Sequence, residues 1–453
     1  MPIQKNSAAK KNKSTKTKNK QPVTNKKMNY YSLHYNSPKV SFKEAVIKGL
    51  APDRGIYFPE NITPLSEDFI KNIDNYSHEE IAFEAIQQFV GNDIPSAVLK
   101  EIIAETLSFD FPVVTVEENI GTLELFHGPT MAFKDVGARF MARCLGYFNR
   151  DKEEKVIVLV ATSGDTGGAV ANGFLGVKGV DVVILYPSGK VSDIQEKQLT
   201  TLGQNVTALE VDGVFDDCQE MVKTAFLDEE IERALTSANS INIARWLPQM
   251  FYFFFAYKAL HKQHKNIVFS VPSGNFGNIC AGIMAQKLGL PIQHFIAATN
   301  VNDTVSKYLQ NGEYVPQKSI ATISNAMDVG NPSNFVRIQE LYGNDLAAIK
   351  QHFSSYSFTD TETKVAMKNI YHQYNYIADP HGAVGYLGLK KHNLQNAYGV
   401  FLETAHPVKF LPTVESTLDI QLDIPSQIQE IIHKEKHAIE ISSYEELKSF
   451  LNT

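Results

Sequence analysis

Over residues 28–112 the apolar positions recur at helical spacing. "SFKEAVIKGL" (41–50) sets an apolar stripe behind Ser41, a natural N-cap, and Gly49 falls near its end. "SHEEIAFEAIQQFVG" (77–91) repeats the plan, with Ser77 as the cap and acids in its first turn. From about residue 113 the rhythm changes. Short runs continuous in Val and Ile, "VIVLVAT" (156–162), "VDVVILYP" (180–187), "NVTALEV" (205–211), "NIVFSVP" (266–272), "IQHFIAAT" (292–299) and "YGVFLET" (398–404), alternate with amphipathic stretches such as "SDIQEKQLTTLG" (192–203) and "GNICAGIMAQKLG" (277–289). Strands apolar on both faces and separated by helices predict parallel sheets covered on each side, an α/β fold. "AIEISSYEELKSFLNT" (438–453) reads as a short strand and a capped helix.

The most apolar cluster, "MFYFFFAYKAL" (250–260), ends at a lysine and a histidine, too soon to span a bilayer, so it reads as a buried helix. At 453 residues, 43% hydrophobic and 21% charged, the chain has the composition of a globular protein with several domains. Its three cysteines, Cys144, Cys218 and Cys280, are widely spaced and odd in number, which fits a reducing cytoplasm rather than a disulfide framework. The net charge of −7 is uneven, because residues 1–27 hold nine lysines and no acid. The remaining body carries 34 basic and 50 acidic residues. The tail is expected to be disordered, either a solvated segment or translation begun ahead of Met28, and not a nucleic-acid contact.

Three local features carry chemistry. Lys134 lies in "HGPTMAFKDVGARF" (127–140), flanked by Ala132 and Phe133 where a helix begins. An amine in apolar surroundings is biased toward its neutral, nucleophilic form. In "VPSGNFGNICAG" (271–282) a strand runs through Gly274, Asn275, Phe276, Gly277 and Asn278 into a helix, so that backbone N–H groups gather at a helix N-terminus as in a phosphate cradle. It is neither a Walker loop nor a dinucleotide fingerprint. "ATSGDTGGAVA" (161–171) offers Thr162, Ser163, Asp165 and Thr166 in a second such turn, where Ser163 or Asp165 would also serve as an ordinary N-cap. One apolar-flanked lysine with two anion loops points to a Schiff base with pyridoxal phosphate. His127 and His381 beside glycines read as structural, as does Asp135, and no histidine spacing suggests a metal.

These motifs, with "SANSINIAR", "AATNVNDTV" and "TAHPVKF" in the same order, resemble the longer subclass of the threonine synthase family, from about Met28 nearly to the C-terminus. The resemblance implies the fold-type II architecture of pyridoxal-phosphate enzymes, related to the tryptophan synthase β-chain. It would place a large domain at 113–150 and 259–435, a small α/β domain at 151–258 and a C-terminal extension at 436–453. It implies Lys134 as the Schiff-base lysine, Gly274–Asn278 as the cofactor-phosphate turn and Thr404 as the hydroxyl facing the pyridine nitrogen. Substrate would meet Thr162, Ser163, Asp165 and Thr166, and its phosphate would meet Lys190, Ser192, Gln195, Asn239, Ser240, Asn242 and Arg245. The expected reaction turns O-phospho-L-homoserine and water into L-threonine and phosphate, in a cytoplasmic monomer or homodimer with no nucleic-acid or membrane partner. The alternatives are a serine/threonine dehydratase-like lyase, or an inactive paralogue that binds a phosphorylated ligand.

Overall fold

The computed structural model describes residues 28–392 and 394–453, so the basic tail lies outside the described residues. Ser41 and Ser77 each cap a helix, Phe42–Lys48 and His78–Val90, through a reciprocal capping box with Glu44 and Glu80. The strands β1 (Tyr30–Ser32), ahead of the first helix, and β2 (Tyr57–Pro59), between the two, form an antiparallel pair that the helical spacing did not reveal. Each strand is only three residues long, too short to show a period.

Residues 113 onward build two sheets. β3 (Val113–Glu117) and β4 (Ile120–Glu124) form an antiparallel hairpin, and β4 then pairs in parallel with β12. β5 (Val156–Ala161), β6 (Val180–Pro187), β7 (Val206–Val211) and β8 (Leu235–Ser237) are parallel neighbours. β9 (Ile267–Pro272), β10 (His294–Thr299), β11 (Phe353–Ser357), β12 (Tyr398–Glu403) and β13 (Ile439–Ile441) complete the set. The six-stranded sheet runs β11-β10-β9-β12-β4-β3 and the five-stranded sheet β13-β7-β6-β5-β8. Every residue of β5, β9 and β12 is buried, which is why these strands read as unbroken apolar runs. β11, "FSSYS", lies at a sheet edge with one buried residue and carries no such signature. The C-terminal strand β13 adds to β7, so the chain ends on the five-stranded sheet.

The aromatic helix Phe251–Leu260 has seven fully or nearly fully buried residues and packs Phe253 edge-on against Phe269 and Phe295. Burial of each such ring contributes about 2–3 kcal/mol. Its one inward polar group, the Tyr252 hydroxyl, donates to the carbonyl of Phe133, the residue before Lys134. The most apolar segment of the chain is thereby the floor under the candidate lysine.

Candidate active site

Lys134 is the first residue of the helix Lys134–Asn149. The preceding segment is stitched to the end of β12: the Phe133 N–H donates to the Thr404 carbonyl (2.9 Å), the His406 N–H to the Met131 carbonyl (3.0 Å), and Ala132 bridges Ala405. This antiparallel stitch brings Lys134 and Thr404 together across 270 residues of sequence. Thr404 is nearly buried, and its hydroxyl has no protein partner among the described residues. Asp135 is buried and accepts from the Thr130 N–H (2.9 Å) and hydroxyl (2.5 Å), so it holds the turn before the helix. Lys134 keeps some exposure toward the cleft, yet its amine is densely surrounded. Desolvation pushes its pKa down to about 8; Asp165 opposes the shift, and Lys409 and Arg245 add to it.

The Gly274–Asn278 turn follows β9 and opens the helix Gly277–Lys287. Phe276 sits in the left-handed region at φ 60°, which turns successive N–H groups into one concavity. Among the described residues none of the five backbone N–H groups from Gly274 to Asn278 donates to a protein acceptor. Five unpartnered donors at a helix start fit the phosphate of pyridoxal phosphate, and the Lys134 amine fits its aldehyde. Asn278 braces the loop by donating to the Pro272 carbonyl (2.9 Å), and the Ser333 N–H donates to Asn275 Oδ1 (2.6 Å). A Cβ at Gly274 would lie 2.7 Å from the Ala326 carbonyl oxygen and 2.8 Å from Met327 Cα. Both are backbone atoms, so Gly274→Ala is expected to displace the loop, weaken pyridoxal phosphate binding about tenfold or more and cost about 1–3 kcal/mol of stability. Cofactor titration and urea unfolding check this, and unchanged affinity would refute it.

In the second loop the helix begins at Asp165 and its cap is Gly164, not Ser163 or Asp165. Gly164 has φ 138°, and a Cβ there would strike the Gln195 carboxamide at 2.4 Å. Thr162 holds the loop together: its buried hydroxyl donates to the Gly164 carbonyl and accepts from the Gly164 and Gly167 N–H groups. Ser163 and Thr166 are half-buried, with no protein hydrogen bond to either side chain among the described residues. Asp165 is nearly buried and accepts from Gln195 Nε2 (3.0 Å) and from Lys409 Nζ (2.7 Å). Burial works against its charge, but Lys409 and Lys134 outweigh that and hold its carboxyl well below the usual range. Lys409 is wholly buried and also donates to the Thr130 carbonyl (2.9 Å). The sequence reading missed it, although it stands among apolar residues in "HPVKFL", the same signal that marked Lys134.

Ser192 and Gln195 form the capping box of the helix Asp193–Thr200, and Ser192 also donates to the Lys409 carbonyl (3.3 Å). Lys190 is exposed on the preceding loop. The expected phosphate group at 239–245 is only partly brought together. Asn242 has both N–H bonds of its buried carboxamide engaged, by the Val46 and Ser237 carbonyls, while its oxygen caps the helix Ile243–Trp246. Ser240 accepts from Asn275 Nδ2 (2.9 Å), which sets it against the Gly274–Asn278 turn rather than in a separate anion site. Asn239 is half-buried beside it. Arg245 is buried and donates to the Ala238 carbonyl; desolvation pulls its pKa down to about 10, with Tyr252 and Asp135 opposing.

His127 pairs with Glu124 (2.8 Å), and His381 pairs through Nδ1 with Asp379 (2.6 Å) while Nε2 accepts from the Ala326 N–H (3.2 Å). Among the described residues no cluster of His, Cys, Asp and Glu could hold a metal ion, and no helix is long and apolar enough to cross a membrane.

Residues 122–400 match the family model for pyridoxal-phosphate dependent enzymes, and residues 29–107 and 382–451 match those for the N terminus and the C-terminal part of threonine synthase. The chain is 44% identical over 406 residues to the threonine synthase of Escherichia coli, covering 89% of this chain and 94% of that protein. The crystal structure of threonine synthase from Escherichia coli superposes with a TM-score of 0.88 at 41% identity, over 93% of this chain and 99% of that one. A PLP-bound threonine synthase from Brucella melitensis gives 0.89 at 34% identity, over 94% and 99%.

Proposed function

The chain belongs to the threonine synthase family of pyridoxal-phosphate enzymes, and from that premise we propose that it converts O-phospho-L-homoserine and water to L-threonine and inorganic phosphate. The reading is carried by the Lys134 amine, its pKa lowered to about 8, stitched beside the unpartnered Thr404 hydroxyl in a chain whose Gly274–Asn278 turn offers unpartnered N–H groups. Pyridoxal phosphate, when bound, supplies an electron sink for negative charge at the substrate's Cα.

The chain's own residues do the rest. Lys134 holds the cofactor covalently until the substrate amine displaces it. Its freed amine, tethered beside the substrate, takes the proton from Cα, gives it up, and in its neutral form then takes one from Cβ. Phosphate leaves from Cγ, a proton is delivered to Cγ, water then adds its hydroxyl to Cβ and its remaining proton goes to the departed phosphate, and a proton returns to Cα, so atoms and charge balance. Thr404 would offer the ring nitrogen a hydroxyl, not a carboxylate, which suits elimination and replacement chemistry. Ser163 and Thr166 offer hydroxyls to the substrate. Lys190, Ser192 and Arg245 contribute charge and hydrogen-bonding capacity for its phosphate. Closure of the cleft keeps water from Cα until phosphate has left. Three buried free cysteines suit a cytoplasmic enzyme, acting as a monomer or homodimer.

The test is to incubate the purified chain with O-phospho-L-homoserine and measure phosphate and amino-acid products together. One phosphate per threonine is expected. A 2-oxoacid as co-product would replace the reading with a dehydratase-like lyase, and cofactor binding without turnover would leave a phospho-ligand-binding paralogue.

A further inference from the structure

Arg337, on the helix Phe335–Leu341, is fully buried yet has no carboxylate partner among the described residues. Its guanidinium donates only to neutral oxygens: the carbonyls of Tyr57 (3.0 Å), Ser240 (3.1 Å) and Ile241 (2.6 Å), and Asn334 Oδ1 (2.6 Å). It stacks on Trp246 at 4.2 Å, and its Nε has no partner. Desolvation drags its pKa down to about 9; Cys280 and Tyr30, which push the other way, are themselves buried with pKa values driven upward, so neither supplies a negative charge. A buried cation without a counter-charge is strongly unfavourable, so this one requires an anion nearby.

The surroundings indicate where. Asn334, oriented by Arg337, donates from Nδ2 to the Asn275 carbonyl and to Ser240 Oγ, each at 3.1 Å. Asn334 and Ser240 are also the atoms a Cβ on Gly277 would meet, both at 3.3 Å. The guanidinium therefore backs the wall of the loop whose five N–H groups have no protein acceptor.

We propose that Arg337 is the buried counter-charge for the cofactor phosphate, acting through Asn334 and Ser240 as a positioning residue rather than by direct contact. The proposal rests on the Gly274–Asn278 turn being the phosphate cradle. It differs from a purely structural role in one respect: the effect follows the phosphate, not the ring.

The full-length chain, freed of cofactor, is titrated with pyridoxal 5'-phosphate and with pyridoxal, reading the absorbance of the lysine-bound ring. The wild-type chain is expected to favour the phosphorylated form. Arg337→Gln is expected to cut that preference about tenfold or more while changing pyridoxal affinity little, and Arg337→Lys to keep most of it. Equal loss for both ligands, or an unchanged preference, overturns the proposal. Should Arg337→Gln not fold, Asn334→Asp sets a carboxylate on the guanidinium and must lower the preference in the same way, or the proposal fails. A wild-type chain with no preference would instead refute the phosphate-cradle assignment itself.

Discussion

Replacing Lys134 with alanine is expected to abolish the visible absorbance of the bound cofactor and to lower kcat by at least about 10³-fold, since nucleophile and proton carrier disappear together. The pH behaviour gives a finer check. With its pKa near 8, the amine of the cofactor-free chain should capture pyridoxal phosphate about tenfold more slowly for each pH unit below that value and level off above it. In the unfolded chain the same amine returns to the ordinary lysine value of 10.5. Between about pH 8 and 10.5 the unfolded chain therefore binds the extra proton, and native stability contributed by this site rises with pH. Wild-type chain minus Lys134→Ala, compared by urea unfolding across that window, should show the upward slope. A flat difference would mean the amine is not held near neutrality.

The second large effect is expected at Lys409. Its ion pair with Asp165 is almost fully dry, with side-chain exposures of 0% and 6%. Lys409→Met would leave Asp165 buried with its main counter-charge gone, a change that costs about 3–5 kcal/mol. Lys409→Met combined with Asp165→Asn should recover a large share, because the double variant buries no unpaired charge. Urea unfolding of the two single variants and the double variant measures this coupling; strictly additive losses would refute it. Lys409→Met should also move the Lys134 amine partway back toward its ordinary pKa, because one of the two cations opposing Asp165 is removed while burial and Arg245 still act. Cofactor capture by that variant should need a higher pH.

The unbroken Val and Ile runs of β5, β6, β7, β9, β10 and β12 made most of the two sheets legible, since double-sided burial leaves a plain mark in the sequence. The hairpin β3–β4 was not read, and β8 and β11 escaped because three residues, or one buried residue in five, carry no period. The loops were legible in the same way, through glycines and short polar residues at strand ends. Partnership was not. Thr162 and Asn242 are polar residues of the kind that contact a substrate or its phosphate, and backbone groups close at hand in the fold engage their hydrogen-bonding atoms. Arg337 stood in no motif, and its neighbours Tyr57 and Ser240 lie 280 and 97 residues away. The role of Thr404 was available only through family likeness, because its contact with the Lys134 segment crosses most of the chain.

β12 has one more consequence, for synthesis. It is the last strand of its sheet to be made, yet it lies in the middle, between β4 and β9. Until residues 398–403 emerge from the ribosome, the nascent protein holds two half-sheets, each with a bare edge open to the wrong partner. The strand that closes this gap also carries Thr404 to Lys134. Completion of the core and assembly of the catalytic pocket are thus one late event, and a chain stalled before it has neither.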